Sequence, residues 1–406
     1  MTHTIVLFGA TSFVGQLVTR HLFERHGVGR ELRWAIAGRS ENKLKAVRAG
    51  LGAGAENLPL IVADADDDAA LKALCADTQV VASTVGPYAL YGSNLVYACA
   101  EAGTDYCDLS GEVQWIARMI TAHEDSARRT GARIVHCCGF DSIPSDLGTW
   151  FLQRRARERL GAPCTRVKLR VRDARGGFSG GTAASLMNVM REAGDPVVRR
   201  LMSNPYSITP GGSDDRPRQP EVRFAEYDND ARSWIAPFLM AAINTRVVHR
   251  TNALAGDAYG TDFIYDEAML TGSGIRGCAM AIAMGAGIGG FTLATALPPS
   301  RWFLEKFAMP KPGKGPSAEV QEKGGFDLRL FGIAIDDSVL RAKVIGDRDP
   351  GYGATAKMLG EATACLALDV PKAALSGGFW TPATALGDRL IARLTAHAGL
   401  TFEMLD

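Results

Sequence analysis

Residues 9–15, which read GATSFVG, form a glycine-rich turn between an apolar segment and a segment with helical periodicity. Gly9 permits a tight turn, the small Ser12 lets the backbone approach a pyrophosphate, and Gly15 allows close packing of helix on sheet. The amides at the start of the helix would face the phosphates. The pattern predicts a dinucleotide site, although Ser12 stands where many such turns have glycine. The predicted contacts are Gly9, Ala10, Thr11, Ser12, Phe13, Val14 and Gly15.

The residues after the second predicted strand decide which dinucleotide fits. NAD-binding domains usually place an acidic side chain there, on the ribose 2′-hydroxyl. Here Arg39 and Ser40 take that place, and a guanidinium suits a 2′-phosphate because it donates two parallel hydrogen bonds. We therefore expect NADP(H), with Lys43 and Asp64 as further contacts. The alternatives are a surface arginine in a turn, a solvated lysine and an Asp64 that caps the next helix.

A second turn follows the fourth predicted strand. We expect Ser83, Thr84, Val85, Gly86 and Pro87 to border the ribose and nicotinamide, because doubly wound sheets bind ligands at the carboxyl ends of their strands. The alternative is a Gly-Pro turn that contacts no ligand.

Hydride transfer from a nicotinamide to a substrate also needs a proton donor. The candidates follow predicted strands at this sheet edge: Tyr88, Tyr91, Ser110, Glu112, Asp141 and Ser142. We assign the catalytic roles to Tyr88, Asp141 and Ser142. The alternatives are structural: Asp141 and Ser142 could form a turn and helix cap, and Glu112 could stabilise the first turn of its own helix. No Ser-His-Asp or Cys-His arrangement is legible, so nucleophilic catalysis is not expected.

Strands that alternate with helices must position these residues. The predicted strands cover 4–8, 32–37, 58–62, 79–84, 105–108 and 133–138, and the predicted helices cover 16–25, 41–49, 67–76, 93–102 and 113–129. This alternation predicts an α/β fold with a Rossmann-type doubly wound parallel sheet of about six strands. We assign it to residues 1–140.

At 406 residues the chain exceeds what one core usually supports, so we expect a second, α+β domain for the substrate over 141–350. Its sheet should be mostly antiparallel, because 165–172 alternates apolar with charged side chains. Residues 351–406 should form helices that pack back on the first domain. The further predicted elements are strands at 222–225 and 244–250, a hairpin of 326–335 with 338–346, loops at 203–221 and 309–324, and helices at 355–367 and 382–397.

Two other segments could contact a ligand. Residues 277–300 contain no charge, and the alternatives are a core segment, the wall of an acyl pocket, or a membrane contact that extends over 277–307. The turn Ser179 to Thr182 precedes a predicted helix and could bind an anionic group, or could be an ordinary cap.

Composition limits the choice of partners. The 45 Lys and Arg balance 44 Asp and Glu, which argues against a nucleic-acid partner. Eight cysteines without a C-x-x-C pair or a His cluster indicate a reduced, cytoplasmic protein without a metal site. The first residues carry no secretory signal pattern.

Longer motifs resemble the saccharopine dehydrogenase-like oxidoreductases, and most closely their trans-acting enoyl reductase branch. Beyond GATSFVG and AGRS, they are VGPYALYG (85–92), DYCDLSGE (105–112), GFDSIPSDLG (139–148), SGGTAAS (179–185), NTRVVHRTNAL (244–254), GDRDPGYGATAKML (346–359) and TPATALGDRL (381–390). The resemblance implies a Rossmann domain, an inserted α/β substrate domain and returning C-terminal helices. It also implies NADPH-dependent reduction of carbon–carbon double bonds in polyketide-derived or fatty acyl chains.

Two other functions stay open at this point. One is a saccharopine-type amino-acid dehydrogenase, in which arginines 166, 170, 172 and 246 could face substrate carboxylates. The other is a non-enzymatic NADPH-binding sensor or lipid-surface protein, because some Rossmann proteins keep the cofactor without the chemistry. A small lipid-like or acyl molecule is the expected ligand, and a homodimer stays open.

Overall fold

The computed structural model describes residues 1–29, 32–177, 180–212, 215–296, 298–303 and 315–405. Ser179 of the glycine turn, residues 297 and 304–307 of the apolar segment, and parts of the loops expected at 203–221 and 309–324 lie outside these residues. The described chain forms two seven-stranded sheets with helices packed against them.

All strands of the first sheet run parallel, in the order β13-β6-β5-β4-β1-β2-β3. They are β1 (His3–Phe8), β2 (Trp34–Gly38), β3 (Leu60–Val62), β4 (Thr78–Ser83), β5 (Asp105–Asp108), β6 (Arg133–Val135) and β13 (Gly378–Trp380). The predicted doubly wound sheet is confirmed, and β13 is an additional strand from late in the chain. The inner strands are buried on both faces, as apolar runs in parallel sheets should be.

The first sheet alternates with α1 (Phe13–His26), α2 (Glu41–Ala49), α3 (Asp68–Ala76), α4 (Tyr88–Tyr91), α5 (Ser93–Ala102), α6 (Val113–Thr130) and α7 (Ile143–Leu160). Side-chain caps start several of them. Ser12, Ser40 and Asp67 each accept a hydrogen bond from a first-turn amide of α1, α2 and α3. The Ser40 cap explains why α2 begins where the sequence predicts. The helix α5 also has its predicted bounds, and it ends at Gly103 in the left-handed conformation.

The second sheet has the order β14-β12-β11-β7-β10-β9-β8. Its strands are β7 (Arg166–Arg175), β8 (Glu226–Asp228), β9 (Ser233–Pro237), β10 (Ile264–Gly272), β11 (Gly325–Ile333), β12 (Val339–Gly346) and β14 (Leu400–Met404). Only β7 and β10 pair in parallel. The mostly antiparallel sheet and the hairpin of β11 with β12 are therefore confirmed.

Further helices cover the second sheet and connect it to the first. They are α8 (Gly180–Glu192), α9 (Pro196–Ser203), α10 (Ala241–Leu254), α11 (Gly274–Ala296), α12 (Pro298–Phe303), α13 (Ala318–Lys323), α14 (Thr355–Leu368) and α15 (Pro382–His397). After residue 350 the chain supplies α14 and α15, but also one strand to each sheet.

Two predictions for the second sheet are wrong. Residues 244–250 lie within α10, which is buried on nearly all sides, including Val247, Val248 and His249. A helix buried on all faces has no polar stripe, so its period cannot be read from the sequence. Residues 222–225 form no strand, and β8 starts only at Glu226.

A buried carboxylate joins α14 to the first domain. Glu361 accepts hydrogen bonds from Arg393 Nε at 2.8 Å and Arg25 Nε at 3.4 Å, and its Oε1 lies 2.9 Å from His21 Nε2. Burial alone would raise the pKa of Glu361, but His21 and Arg393 lower it to about 2. A carboxylate that two guanidiniums and an imidazole hold in its charged form stabilises the fold wherever it is ionised.

We expect Glu361→Gln to lower the free energy of unfolding at neutral pH by about 3 kcal/mol, because it removes the carboxylate from the partly buried Arg25 and Arg393, although Arg393 keeps Asp369 as a second partner. The folded pKa of about 2 lies below the ordinary value of 4.5. The stabilisation is therefore complete above pH 4.5 and is lost as the pH falls towards 2. Urea unfolding at several pH values measures both effects. Glu41→Gln, which removes an exposed pair with Lys45, should leave the free energy of unfolding almost unchanged.

Candidate active site

The turn after β1 has the geometry that its glycines predict. Gly9 has φ of +87°, and a Cβ built there would lie 2.5 Å from Val85 Cγ2. A Cβ at Gly15 would collide with the carbonyl oxygen of Gly9. Both positions therefore exclude any larger residue, and the turn packs directly against the segment that follows β4.

The side chain of Ser12 makes two hydrogen bonds that a glycine at this position could not make. Its Oγ accepts a hydrogen bond from Gly15 N at 2.9 Å and lies 3.0 Å from Thr84 Oγ1, which donates to the Gly9 carbonyl at 2.9 Å. The side chain thus caps α1 and ties the turn to β4. Within the described residues, the amides of Phe13 and Val14 have no hydrogen-bond partner. Free amides at the start of a long helix form an anion site.

The side chains predicted to select NADP(H) lie beside this turn. A Cβ at Gly38, the last residue of β2, would be 3.8 Å from Thr11 Oγ1. Arg39 follows it and is exposed, with no hydrogen bond or ion pair to any described residue. Ser40 caps α2 through the amide of Lys43 at 3.4 Å. A free guanidinium at this place fits a 2′-phosphate.

Lys43 and Asp64 are exposed at the same edge. Asp64 Oδ1 accepts a hydrogen bond from Asp66 N at 3.2 Å, whereas the cap of α3 is Asp67, whose Oδ1 accepts from Ala70 N at 3.0 Å. The helix-cap alternative for Asp64 is therefore wrong, and its contact with the nucleotide stays a prediction.

Tyr88 and Glu112 hold the loop after β4 in place. The Tyr88 hydroxyl donates to the Ser83 carbonyl at 3.0 Å and accepts from Leu109 N at 3.1 Å, which joins the ends of β4 and β5. Glu112 accepts from the amides of Tyr88 at 2.8 Å and Ala89 at 2.9 Å. It thus caps α4 and not its own helix. Burial raises the pKa of both side chains.

We expect Tyr88→Phe to lower the free energy of unfolding by about 1–3 kcal/mol, because it leaves a buried amide and a buried carbonyl without a partner. The phenyl ring would still pack on Trp115, at a centroid distance of 5.4 Å. Turnover of the folded variant should change by less than about threefold, since a change of 1 kcal/mol in the barrier would already exceed this. Unfolding and steady-state kinetics measure the two effects. A large loss of turnover in a fully stable variant would instead identify Tyr88 as the proton donor.

Asp141 differs from the other candidates because its carboxylate is not engaged. A Cβ at Gly111 would lie 3.7 Å from Asp141 Oδ2 and 4.0 Å from Ile243 Cγ2. The carboxylate therefore lies between the loop after β5 and the apolar start of α10. No hydrogen bond or ion pair to the described residues engages it, and burial raises its pKa to about 6. A partly exposed acid with this pKa can donate a proton near neutral pH.

Ser142, next to Asp141, belongs to a buried polar network. Its Oγ donates to Asn244 Oδ1 at 3.2 Å, and Asn244 Nδ2 donates to Glu267 Oε2 at 2.9 Å. Tyr265 donates to the other oxygen of Glu267 at 2.6 Å. Ser142 therefore fixes the start of α7 to α10 and β10. The catalytic role of Ser142 stays a prediction.

Two other candidates are placed less favourably for chemistry. Ser110 is buried, and its Oγ accepts from Glu112 N at 3.2 Å. Tyr91 is largely exposed on α4. Ser83 accepts from Val85 N at 3.4 Å, so the loop 83–87 is held mainly by its own side chains and by Glu112.

Thr182 of α8 and Tyr352, which precedes α14, lie over the nucleotide turn. Phe13 packs edge-on against Tyr352 at a centroid distance of 5.3 Å, and the Tyr352 hydroxyl lies 2.9 Å from Thr182 Oγ1 on α8. A Cβ at Gly86 would be 3.5 Å from Ser185 Oγ. The helix α8, which begins at Gly180 within the SGGT segment, therefore lies over the loop expected to border the nicotinamide. The sequence shows two motifs in these segments, SGGTAAS and GDRDPGYG, but it does not show that they meet at the nucleotide turn.

The comparisons with known proteins agree with this arrangement. Residues 5–135 match the family defined by the saccharopine dehydrogenase NADP-binding domain. A Mycobacterium tuberculosis protein provisionally named a trans-acting enoyl reductase is 42% identical over 98% of this chain and 96% of its own length. Trans-acting enoyl reductases of M. tuberculosis and M. ulcerans are each 40% identical, over 96% of this chain and 95% of their own lengths.

A solved structure shows the same fold. The apo saccharopine dehydrogenase (L-Glu forming) of Saccharomyces cerevisiae has a TM-score of 0.53 at 14% identity, over 99% of both chains. At this identity the yeast structure shows only that the two proteins share the fold. The mycobacterial proteins are similar to this chain in sequence over nearly its full length. Since that similarity extends over nearly the full length of the chain, this chain belongs to the saccharopine dehydrogenase-like family, in its trans-acting enoyl reductase branch.

Proposed function

We propose that this protein is a cytoplasmic NADPH-dependent oxidoreductase that reduces a carbon–carbon double bond in an enoyl, polyketide-derived or fatty acyl substrate. The observation that carries the proposal is the turn after β1. Its two obligatory glycines and free helix amides stand next to the unpaired guanidinium of Arg39. The full-length similarity to trans-acting enoyl reductases supports the type of substrate.

The residues present fit the cofactor at each point that the structure describes. Gly9 and Gly15 leave the space that a pyrophosphate needs, and the amides of Phe13 and Val14 can bind its oxygens. Arg39 and Lys43 can neutralise a 2′-phosphate. Ser185 and the start of α8 lie over Gly86 and would shield the reacting face from water.

When bound, NADPH supplies the hydride that reaches one carbon of the double bond, so the other carbon must receive a proton. Asp141 is the best placed donor, because its carboxylate is free and its pKa is about 6. Ser142 and Asn244 hold the start of α7 and so position it. Tyr88 and Glu112 shape the opposite side of the site through backbone hydrogen bonds.

The arginines that could have favoured an amino-acid dehydrogenase are already paired. Arg170 lies 2.7 Å from Asp228 and 2.6 Å from Asp266, and Arg166 lies 3.2 Å from Asp266. Arg172 pairs with Asp327 at 3.5 Å, and Arg246 donates to backbone carbonyls of Ala242 and Met202. Guanidiniums engaged in this way are poor ligands for a substrate carboxylate, so the saccharopine-type reaction is not favoured.

The experiment that tests the proposal is an assay of NADPH oxidation with 2-enoyl thioesters of increasing chain length. Loss of nicotinamide absorbance, with the saturated thioester as product, would support it. Binding of NADPH without oxidation in the presence of any enoyl, oxo or imino substrate would favour the non-enzymatic sensor. Failure to bind NADPH would contradict both.

A further inference from the structure

The helix α11 presents an apolar surface that the other described residues leave exposed. Residues 277–300 contain no charged side chain. The helix is long and apolar enough to cross a membrane by length and composition, with a mean hydropathy of 1.6, yet only 17% of this stretch is buried. A helix this apolar normally lies in the core of a soluble protein. Its exposure therefore indicates a partner that covers it.

One side of α11 is fixed to the protein and the other is not. Gly277, Ala281 and Gly285 are buried on the side that packs on β9 and β10. Ile275 is 90% exposed and Leu293 is 64% exposed, and they lie on one face because 18 residues make about five turns. The same exposed face includes Ala279, Ile282, Ala283, Ala286, Gly289 and Gly290. A helix attached to a sheet on one side cannot span a bilayer, but it can lie in the bilayer surface.

Exposed aromatic side chains lie on segments that border α11. Phe224 is 49% exposed, and a Cβ at Gly285 in the middle of α11 would lie 3.0 Å from its ring. Tyr227, 48% exposed, packs edge-on against Trp234 of β9 at 5.7 Å. Trp302, just after α11, is 56% exposed. Aromatic rings collect at the boundary between lipid and water because one part of each ring system is apolar and another is polar.

The charges next to α11 in the sequence indicate which kind of partner its apolar face would contact. Arg276 is exposed at its start, and the sequence 297–314 contains four basic residues against the single acidic Glu305. Basic residues that flank an apolar helix attract anionic head groups. In a symmetric contact with a second copy, the two basic flanks would instead lie close together and repel each other.

We propose that α11 docks this protein onto an anionic lipid bilayer, with the helix axis in the membrane plane and its exposed apolar face among the acyl chains. Arg276 lies at the head groups. The docked helix also contacts α8, the helix that lies over the loop expected to border the nicotinamide. Membrane docking does not depend on reductase activity, because it needs neither nucleotide nor substrate.

The test is co-sedimentation of the full chain with vesicles of equal parts phosphatidylcholine and phosphatidylglycerol, and with vesicles of phosphatidylcholine alone. We expect strong binding to the first, weak binding to the second, and loss of binding at high salt. The variant Ile275→Asp/Leu293→Asp should bind the anionic vesicles at least about tenfold more weakly, since insertion of one such side chain is worth about that factor. Ile335→Asp, which changes an 84% exposed residue at the turn between β11 and β12, should bind like the parent protein.

Two results would overturn the proposal. One is the absence of sedimentation with either vesicle. The other is a dimer in sedimentation velocity that the Ile275→Asp/Leu293→Asp variant dissociates, which would assign this face to a second copy. Because both substituted residues are exposed, an unchanged thermal unfolding curve should accompany the variant. Vesicle binding with no NADPH oxidation would support the docking while it contradicts the proposed reaction.

Discussion

Asp141→Asn should lower kcat for enoyl reduction by about a hundredfold to ten-thousandfold, because a positioned general acid contributes about that much. The asparagine keeps the size of the side chain beside Gly111 and Ile243 but cannot donate the proton. The Kd for NADPH should not change, since Asp141 lies in the loop after β6 and not at the phosphate turn. Steady-state kinetics and calorimetric titration separate the two effects.

The pH dependence gives an independent readout of the same substitution. Only the protonated acid can donate, so the rate of the parent protein should fall as the pH rises through about 6. The variant should lose this step. Asp337→Asn, at an exposed turn of positive φ that asparagine also accepts, is the matched control and should keep both the rate and the step. An Asp141→Asn enzyme with full turnover would contradict the assignment.

Asp141→Asn should lower kcat but raise the free energy of unfolding. Burial raises the pKa of Asp141 from 3.8 to about 6, so the folded protein is most stable below 3.8 and loses stability as the pH rises through 6. Removing the ionisable group should therefore raise the free energy of unfolding above pH 6, by up to about 3 kcal/mol. A variant that is more stable but less active would show that the carboxylate is kept for chemistry and not for the fold.

Local signals account for what the sequence could predict. The helix α2 begins at the cap of Ser40 and the turn GATSFVG begins α1, and both depend on residues within one or two turns of each other. The strands β13 and β14 have no such signal. They are short, and Gly378 pairs with Arg133 while Leu400 pairs with Gly346, so only tertiary packing defines them.

In the candidate active site, too, the features with a local sequence signal could be predicted, and those that depend on tertiary packing could not. The phosphate turn of residues 9–15 and the cation Arg39 could be predicted because each is recognisable within one short stretch of sequence. The cover of the site could not, because Phe13, Thr182 and Tyr352 meet from three distant parts of the chain. Glu112 shows how position alone misleads: it stands before α6, yet its carboxylate caps α4. Which carboxylate is free for catalysis depends on partners that are not its neighbours in sequence.

Arg39→Ala should raise the Kd for NADPH by about tenfold to a hundredfold and leave the Kd for NADH almost unchanged. A charge-assisted hydrogen bond to a phosphate contributes about 1.5–3 kcal/mol, and NADH has no 2′-phosphate to receive it. No intramolecular partner of Arg39 within the described residues is lost in the variant, so the fold should keep its stability. Calorimetric titration of both nucleotides measures the ratio directly.

The control for Arg39 is Lys45→Ala, which removes a cation of α2 that pairs with Glu41 at 2.7 Å. It changes the net charge by the same amount, so a long-range electrostatic effect would weaken NADPH binding in both variants, whereas a direct contact would weaken it only at Arg39. Equal losses for NADPH and NADH in Arg39→Ala would contradict 2′-phosphate recognition by this side chain. Lys43 would then be the cation to substitute next, because it is exposed at the same edge of the sheet.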